Sequence, residues 1–166
     1  MAEDNIVVPR RGSGVFVAQV PTEYPIGRRV RFHQNLQAAG RLPGKETLTL
    51  DTRKANPREA EALQLKEELV HVYEGLSLAD GQPIAVFRST FPAERFPGIL
   101  DNLAKAHSVT AALQAHGVTD YTRAQTALTA KTASATLALH LRLREGAPIL
   151  RSVGINVDKD GIPVEY

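Results

Sequence analysis

The stretch VHVYEGLSLADGQPIAVF, residues 70–87, decides the fold. Two apolar runs flank Ala79-Asp80-Gly81-Gln82, and Asp-Gly between such runs is a strong local signal of a β-hairpin. A similar phrase returns as PILRSVGINVDKDGIPVEY, residues 148–166. Asp80-Gly81 followed by Pro83 recurs 80 residues later as Asp160-Gly161 followed by Pro163. Ahead of each phrase lies a Leu-x-Leu element, Leu63-Gln64-Leu65 and Leu141-Arg142-Leu143, at an offset of 78, so two residues of length separate the copies. A strand–helix–hairpin unit written twice predicts a sheet of two pseudo-repeated halves. The cleft between such halves is a natural place to hold something small.

Working outward, Asn56-Pro57-Arg58-Glu59 is a strong helix start. Asn56 caps, Pro57 suits the first helical position, and Glu59 reaches back to the cap. That helix is expected to end near Leu65, before strands over 70–78 and 83–91. A short helix over 96–106 and a second over 108–116 follow, the latter capped by Ser108 and stopped by Gly117. Residues 121–131 are rich in Thr and alternate weakly, which predicts a strand. Residues 134–141 form a helix, 149–157 a strand, and 162–166 the start of a return strand. Upstream, 47–51 alternates as a strand. Residues 31–39 place Phe32 and Leu36 on one helix face, with Gly40 as the stop. Arg10 to Gly14 is a turn feeding a strand over 15–18, and the prolines of 21–27 mark a linker. Hairpin-linked strands with interspersed helices predict an α+β fold with an antiparallel or mixed sheet.

Composition narrows the function. The chain has 166 residues, 43% of them hydrophobic and 23% charged, which suits one globular domain. It has no cysteine, which excludes a disulfide framework, a thiolate metal site and a Cys nucleophile. No apolar run reaches the roughly 18 residues of a membrane span, and no secretory signal is visible. A net charge of +2 is too mild for nucleic-acid binding by the body of the chain. The five histidines show no His-x-x-x-His spacing, so no metal is expected. Gly12-Ser13-Gly14 lacks the Lys-Ser/Thr ending and following helix of a phosphate loop, and Ser13 lacks the setting of a nucleophile. Asp158 to Gly161 looks like a calcium loop, but a hairpin turn explains it better.

One residue stands out on pattern. Alternation puts Val86, Arg88 and Thr90 on one face of their strand, so Arg88 is a charge mid-strand among apolar neighbours. The competing reading is a solvated outer face.

VHVYEGLSLADGQPIAVFRSTFPAERFPGIL, then SVTAALQAHGV, then GAPILRSVGINVDKDGIPVEY together resemble the UTRA effector-binding domain of GntR/HutC-type transcription regulators. The resemblance covers about 30–166 and implies a chorismate lyase-like fold. RFHQNLQAAG and FRSTFPAERFPGIL look most like the phosphonate-utilisation branch. RRGSGVFVA resembles the last wing strand of the winged-helix domain that precedes this domain. Residues 1–18 are therefore expected to be a wing remnant, with Arg10, Arg11 and Gly12 as remnant DNA contacts. Residues 19–29 are then a linker, and 30–166 the effector domain, cut short of a further C-terminal strand.

The resemblance implies a small anionic metabolite as effector, of the phosphonate or phosphate-containing classes. It implies that Arg31, Arg88, Ser108 and Thr110 hold the anion and that Glu165 takes a polar group. Tyr121 and Arg123, at the start of the strand after Gly117, are further cleft candidates from their position. On sequence alone simple capping explains Ser108 better than ligand contact, solvation explains Arg31 and Glu165, and a surface position outweighs a ligand role for Tyr121 and Arg123. The exposed sheet edges of the repeats favour a homodimer, the lack of cysteine fits the cytoplasm, no cofactor or membrane is expected, and the resemblance implies DNA contact only through the missing winged-helix domain. The alternative is an enzyme on the same scaffold, because chorismate-type chemistry also needs Arg and Glu around an anion.

Overall fold

The computed structural model describes residues 7–10, 14–17, 32–66 and 69–166, the first two segments as backbone. Those two segments are β1 (Val7–Arg10) and β2 (Gly14–Val17), paired antiparallel with Arg10 opposite Gly14. Then come α1 (Phe32–Ala38), β3 (Pro43–Lys54), α2 (Pro57–Leu63), β4 (Leu69–Ala79) and β5 (Gln82–Pro92). After α3 (Ile99–Ala106) and α4 (Val109–Ala115), the pattern repeats as β6 (Tyr121–Thr132), α5 (Ala135–Leu141), β7 (Pro148–Asp158) and β8 (Pro163–Glu165). From α1 onward the predicted order of elements is the observed one, whereas β1 lies in a stretch where the sequence predicted no strand. Two boundaries move. β3 is longer than 47–51 because it pairs along the whole of β4, from Pro43 opposite Ala79 to Lys54 opposite Leu69. α3 begins after Gly98 rather than at Phe96, because Gly98 is left-handed at φ 78° and cannot continue a helix.

The two Leu-x-Leu elements now have a physical reading. In each, the middle residue is the left-handed cap that ends the helix: Gln64 at φ 52° and Arg142 at φ 55°. The start of α2 is the reciprocal capping box expected from its sequence. The Asn56 side chain accepts from the backbone N–H groups of Arg58 and Glu59, and Glu59 accepts from Asn56 N at 2.9 Å. Glu59 is buried, and both its oxygens receive Arg53, at 2.7 and 2.8 Å.

The repeated Asp-Gly phrase makes two different turns. Asp80 and Gly81 are both at positive φ, 51° and 74°, in a two-residue hairpin. In the second copy only Gly161 is at positive φ among residues 159–162. That loop is organised instead by Asp158, whose Oδ1 accepts from the backbone N–H groups of Asp160 and Ile162, each at 2.9 Å.

The sheets run β3-β4-β5 and β6-β7-β8, antiparallel throughout. They are joined where Thr90 and Tyr166 exchange two backbone hydrogen bonds, 2.8 and 3.0 Å. The combined order is β3-β4-β5-β8-β7-β6, with the short β8 at the seam. β4 is buried on both faces, and its alternation sorts the core. Val70 and Val72 pack with Leu63 of α2 on one side. Tyr73 faces the other side, with Phe91, Phe96, Leu103 and Leu113 under α3 and α4. Each such side chain, fully buried, contributes roughly 1.5–3 kcal/mol.

Candidate functional site

The face of the sheet beneath α3 and α4 gathers polar groups from both halves. On the first half, register places Lys45 opposite Ser77, Thr47 opposite Gly75, and Gly75 opposite Phe87. A β-bulge between Thr47 and Thr49 bends β3 here. The bend is tight: a Cβ on Gly75 would lie 2.2 Å from the carbonyl oxygen of Glu46 and 2.9 Å from the Phe87 ring. Lys45 reaches back over the aromatic floor. Its Nζ lies 4.1 Å from the centroid of Phe87, 5.4 Å from Tyr73 and 5.9 Å from Phe32. Burial pulls the Lys45 ammonium below its ordinary pKa, and Glu165 pushes it back up. Burial, then the nearby Lys45, also hold His33 below its usual value.

On the second half, Arg123 stands opposite Asn156, and Asn156 opposite Glu165. These three share one sheet face. Asn156 is buried and donates from Nδ2 to Glu165 Oε2. The Arg123 guanidinium lies over Gly154, where a Cβ would come within 1.5 Å of Nη1, and its Nε is buried with no hydrogen-bond partner among the described residues. The turn into α4 bridges the halves. Thr47 Oγ1 meets His107 Nδ1 at 3.3 Å, and Thr110 Oγ1 meets the Tyr121 hydroxyl at 2.8 Å.

The structure brings Thr110, Tyr121, Arg123 and Glu165 to this face. Ser108 caps α4, its Oγ accepting from Ala111 N at 3.3 Å. Arg88 does not join them. It pairs with Glu74 across β4 and β5, on the α2 face, and its side chain is 59% exposed. Two residues on adjacent strand positions point to opposite sides, so Arg88 and Ser89 cannot serve one pocket. Arg31, Arg11 and Gly12 lie outside the described residues, as does the linker 19–29, and only the backbone of Arg10 is described. Sequence reading missed Lys45, whose setting depends on the bulge, and Asn156, whose partner lies on another strand. Asp158 is a structural acid: burial pushes its carboxyl up, but bonds from Arg95, Ile162 and Asp160 outweigh this and lower it. Among the described residues no group of three or more acidic, His or Cys side chains is placed to hold a metal. No described helix is long and apolar enough to cross a membrane. Two surface clefts, about 440 and 250 Å³, run along α2 and contain none of the predicted site residues.

Comparison with known proteins gives a consistent picture. The family model described as the UTRA domain matches residues 38–166. An uncharacterised HTH-type transcriptional regulator from Rhizobium meliloti is 35% identical over 169 residues, covering 100% of this chain and 69% of that protein. Among solved structures, PhnF from Mycobacterium smegmatis superposes with a TM-score of 0.78 at 21% identity, over 99% of this chain and 72% of that one. The separate effector domain of the same protein gives a TM-score of 0.71 at 19% identity, over 85% of this chain and 86% of that one. A GntR-family regulator from Enterococcus faecalis gives 0.52 at 24% identity, over 76% and 86%. At these identities the structural likeness is one of fold, the chorismate lyase-like α+β fold of such effector domains. The relatives are regulators rather than enzymes, so the enzymatic alternative falls away.

Proposed function

The chain belongs to the UTRA domain family, and from that premise we propose that it senses a small anionic metabolite for a GntR-type transcription regulator. The observation that carries the reading is the face beneath α4. There Glu165, Asn156 and Arg123 of one half share a face with Thr47 and Lys45 of the other, and Lys45 stands over aromatic rings. An anion needs fixed donors, and a polar end needs an acceptor such as Glu165. Thr110 and Tyr121, bonded to each other, offer hydroxyls that a ligand can recruit, with Ser108 at the same turn. Arg88 is left out of this set because it stands on the α2 face.

Binding at a seam between halves biases how they sit relative to each other, and a regulator converts such a bias into altered operator affinity. DNA contact belongs to a winged-helix domain, the whole working in the cytoplasm. A homodimer is part of the proposal. Leu128 and Leu150, 51% and 63% exposed on neighbouring strands β6 and β7, offer apolar surface for a second copy. Phosphonates and phosphate esters are the first effectors to screen. We expect compounds of these classes to raise the melting temperature of the chain, and Glu165→Gln to weaken those that carry an amine or hydroxyl. A panel of small anions that leaves both the melting temperature and operator binding of a full-length regulator unmoved refutes the reading.

A further inference from the structure

Lysine ammonium groups are strongly hydrated and seldom leave water without a partner. Lys45 has left it. Its Nζ stands over Phe87, Tyr73 and Phe32, and no hydrogen bond or ion pair reaches it among the described residues. Three ring faces attract a cation but supply none of the three acceptors that its N–H groups can use. Glu165 acts on Lys45 through space, yet the two are not within ion-pair distance. In a partly desolvated setting, opposite charges gain by closing. Here each is held back: Glu165 is tied to Asn156, and β3 is pinned by its bulge opposite Gly75. The result is a cation with unused donors and a carboxylate held apart on one face.

We infer that Lys45 is the residue that takes the effector's anionic group in this chain, with the aromatic rings shaping the slot and Glu165 marking its opposite pole. The inference rests on the proposed sensing role and adds to it the ligand-holding residue and the ligand class. That class is a compact anion such as a carboxylate, phosphate or phosphonate, with a hydrogen-bond donor a few bonds away. The geometry also gives the order of contributions. A partly desolvated ammonium against an anion is a charge-assisted contact, stronger than any neutral hydroxyl in the site.

The test uses inorganic phosphate as a bare anion, with β-alanine and propionate as a pair differing by one ammonium group. Melting temperature is followed against ligand concentration for wild type, Lys45→Met, Lys45→Arg and Arg88→Ala, each measured relative to its own ligand-free state. Lys45→Met keeps the apolar stem over the rings and removes only the charge. The expected result is dose-dependent stabilisation of wild type, a loss of at least tenfold in apparent affinity in Lys45→Met, partial rescue in Lys45→Arg, and affinity within twofold of wild type in Arg88→Ala. If Lys45 merely clamps the rings, Lys45→Met lowers the ligand-free melting temperature but keeps the ligand-induced shift, and the inference is overturned. Loss of the shift in Arg88→Ala with retention in Lys45→Met moves the anion to the α2 face and also overturns it. No stabilisation of wild type by any of the three compounds overturns the assignment as well. If full-length operator binding still responds to other anions in that case, the sensing role survives without it.

Discussion

Gly75 and Gly154 occupy similar places in β4 and β7, each facing the bulged strand of its own half, yet an added methyl group should have opposite effects on them. At Gly75 the new Cβ meets a backbone carbonyl oxygen at 2.2 Å and the Phe87 ring at 2.9 Å. A relaxed carbon–oxygen contact is about 3.3 Å or longer, so roughly 1 Å of movement is required. The blocking atom is main chain in a paired strand, and the movement must open the β3–β4 ladder. Overpacking of this kind costs about 1–3 kcal/mol and sometimes more, and the rigid obstacle puts Gly75→Ala at about 3 kcal/mol. At about 2–4 °C per kcal/mol for a chain of this length, the melting temperature should fall by about 6–12 °C. At Gly154 the obstacle is the far end of the Arg123 side chain, 1.5 Å from the new Cβ. A flexible guanidinium swings away, and replacing a mid-strand glycine recovers about 0.5–1 kcal/mol of backbone entropy. Gly154→Ala should therefore change stability by less than about 1 kcal/mol. Its cost should appear in function, because Arg123 leaves the face it shares with Glu165. Thermal unfolding of both variants, with anion titration of the second, checks this. A Gly75→Ala melting temperature within about 2 °C of wild type refutes the reasoning, as does equal destabilisation by both.

The remaining predictions concern charge. Glu59 is held below its ordinary pKa, first by the Arg53 side chain, with burial opposing. A depressed folded pKa means its stabilisation is present above about pH 4.3, the unfolded value, and is lost as pH falls through the folded value. Glu59→Gln should therefore lose about 2–3 kcal/mol at pH 7, in line with charged hydrogen bonds, and the gap from wild type should narrow below pH 4 in acid-denaturation curves. A constant gap down to pH 2 contradicts this. Arg88→Ala removes a pair that is 59% exposed on the arginine side and should cost less than about 1 kcal/mol in urea unfolding. A loss above 2 kcal/mol means Arg88 has a partner beyond Glu74.

Much of this architecture was legible in the sequence because its signals are local. A capping box needs only Asn56 and Glu59, a two-residue hairpin needs only Asp80-Gly81, and a left-handed helix stop needs one residue between two leucines. The repeat then made the two-half plan readable without any contact map. The site was only half legible. Glu165 and Thr110, named from resemblance, and Tyr121 and Arg123, named from their place at the start of a strand, reach the face beneath α4. Arg88 drew attention as a charge among apolar neighbours, and alternation correctly grouped it with Val86 and Thr90. Alternation cannot say which of two faces meets α2 and which meets α4. That choice is made by Val70 and Val72 packing on Leu63, and it leaves Arg88 beside Glu74.

By itself, then, the sequence determined the order and type of the elements from α1 onward and the capped starts and stops of most helices, because these are fixed by interactions spanning a few residues. Tertiary structure decided what lies next to what at long range. The Thr90–Tyr166 pair that joins the sheets links residues 76 positions apart. Lys45 acquires its aromatic surroundings only after β3 bends past Gly75 and β4 brings Tyr73 alongside. A lysine in PGKET carries no local mark of that setting. Desolvation and charge separation come from strands distant in sequence, and they turn an ordinary lysine into the cation of a site.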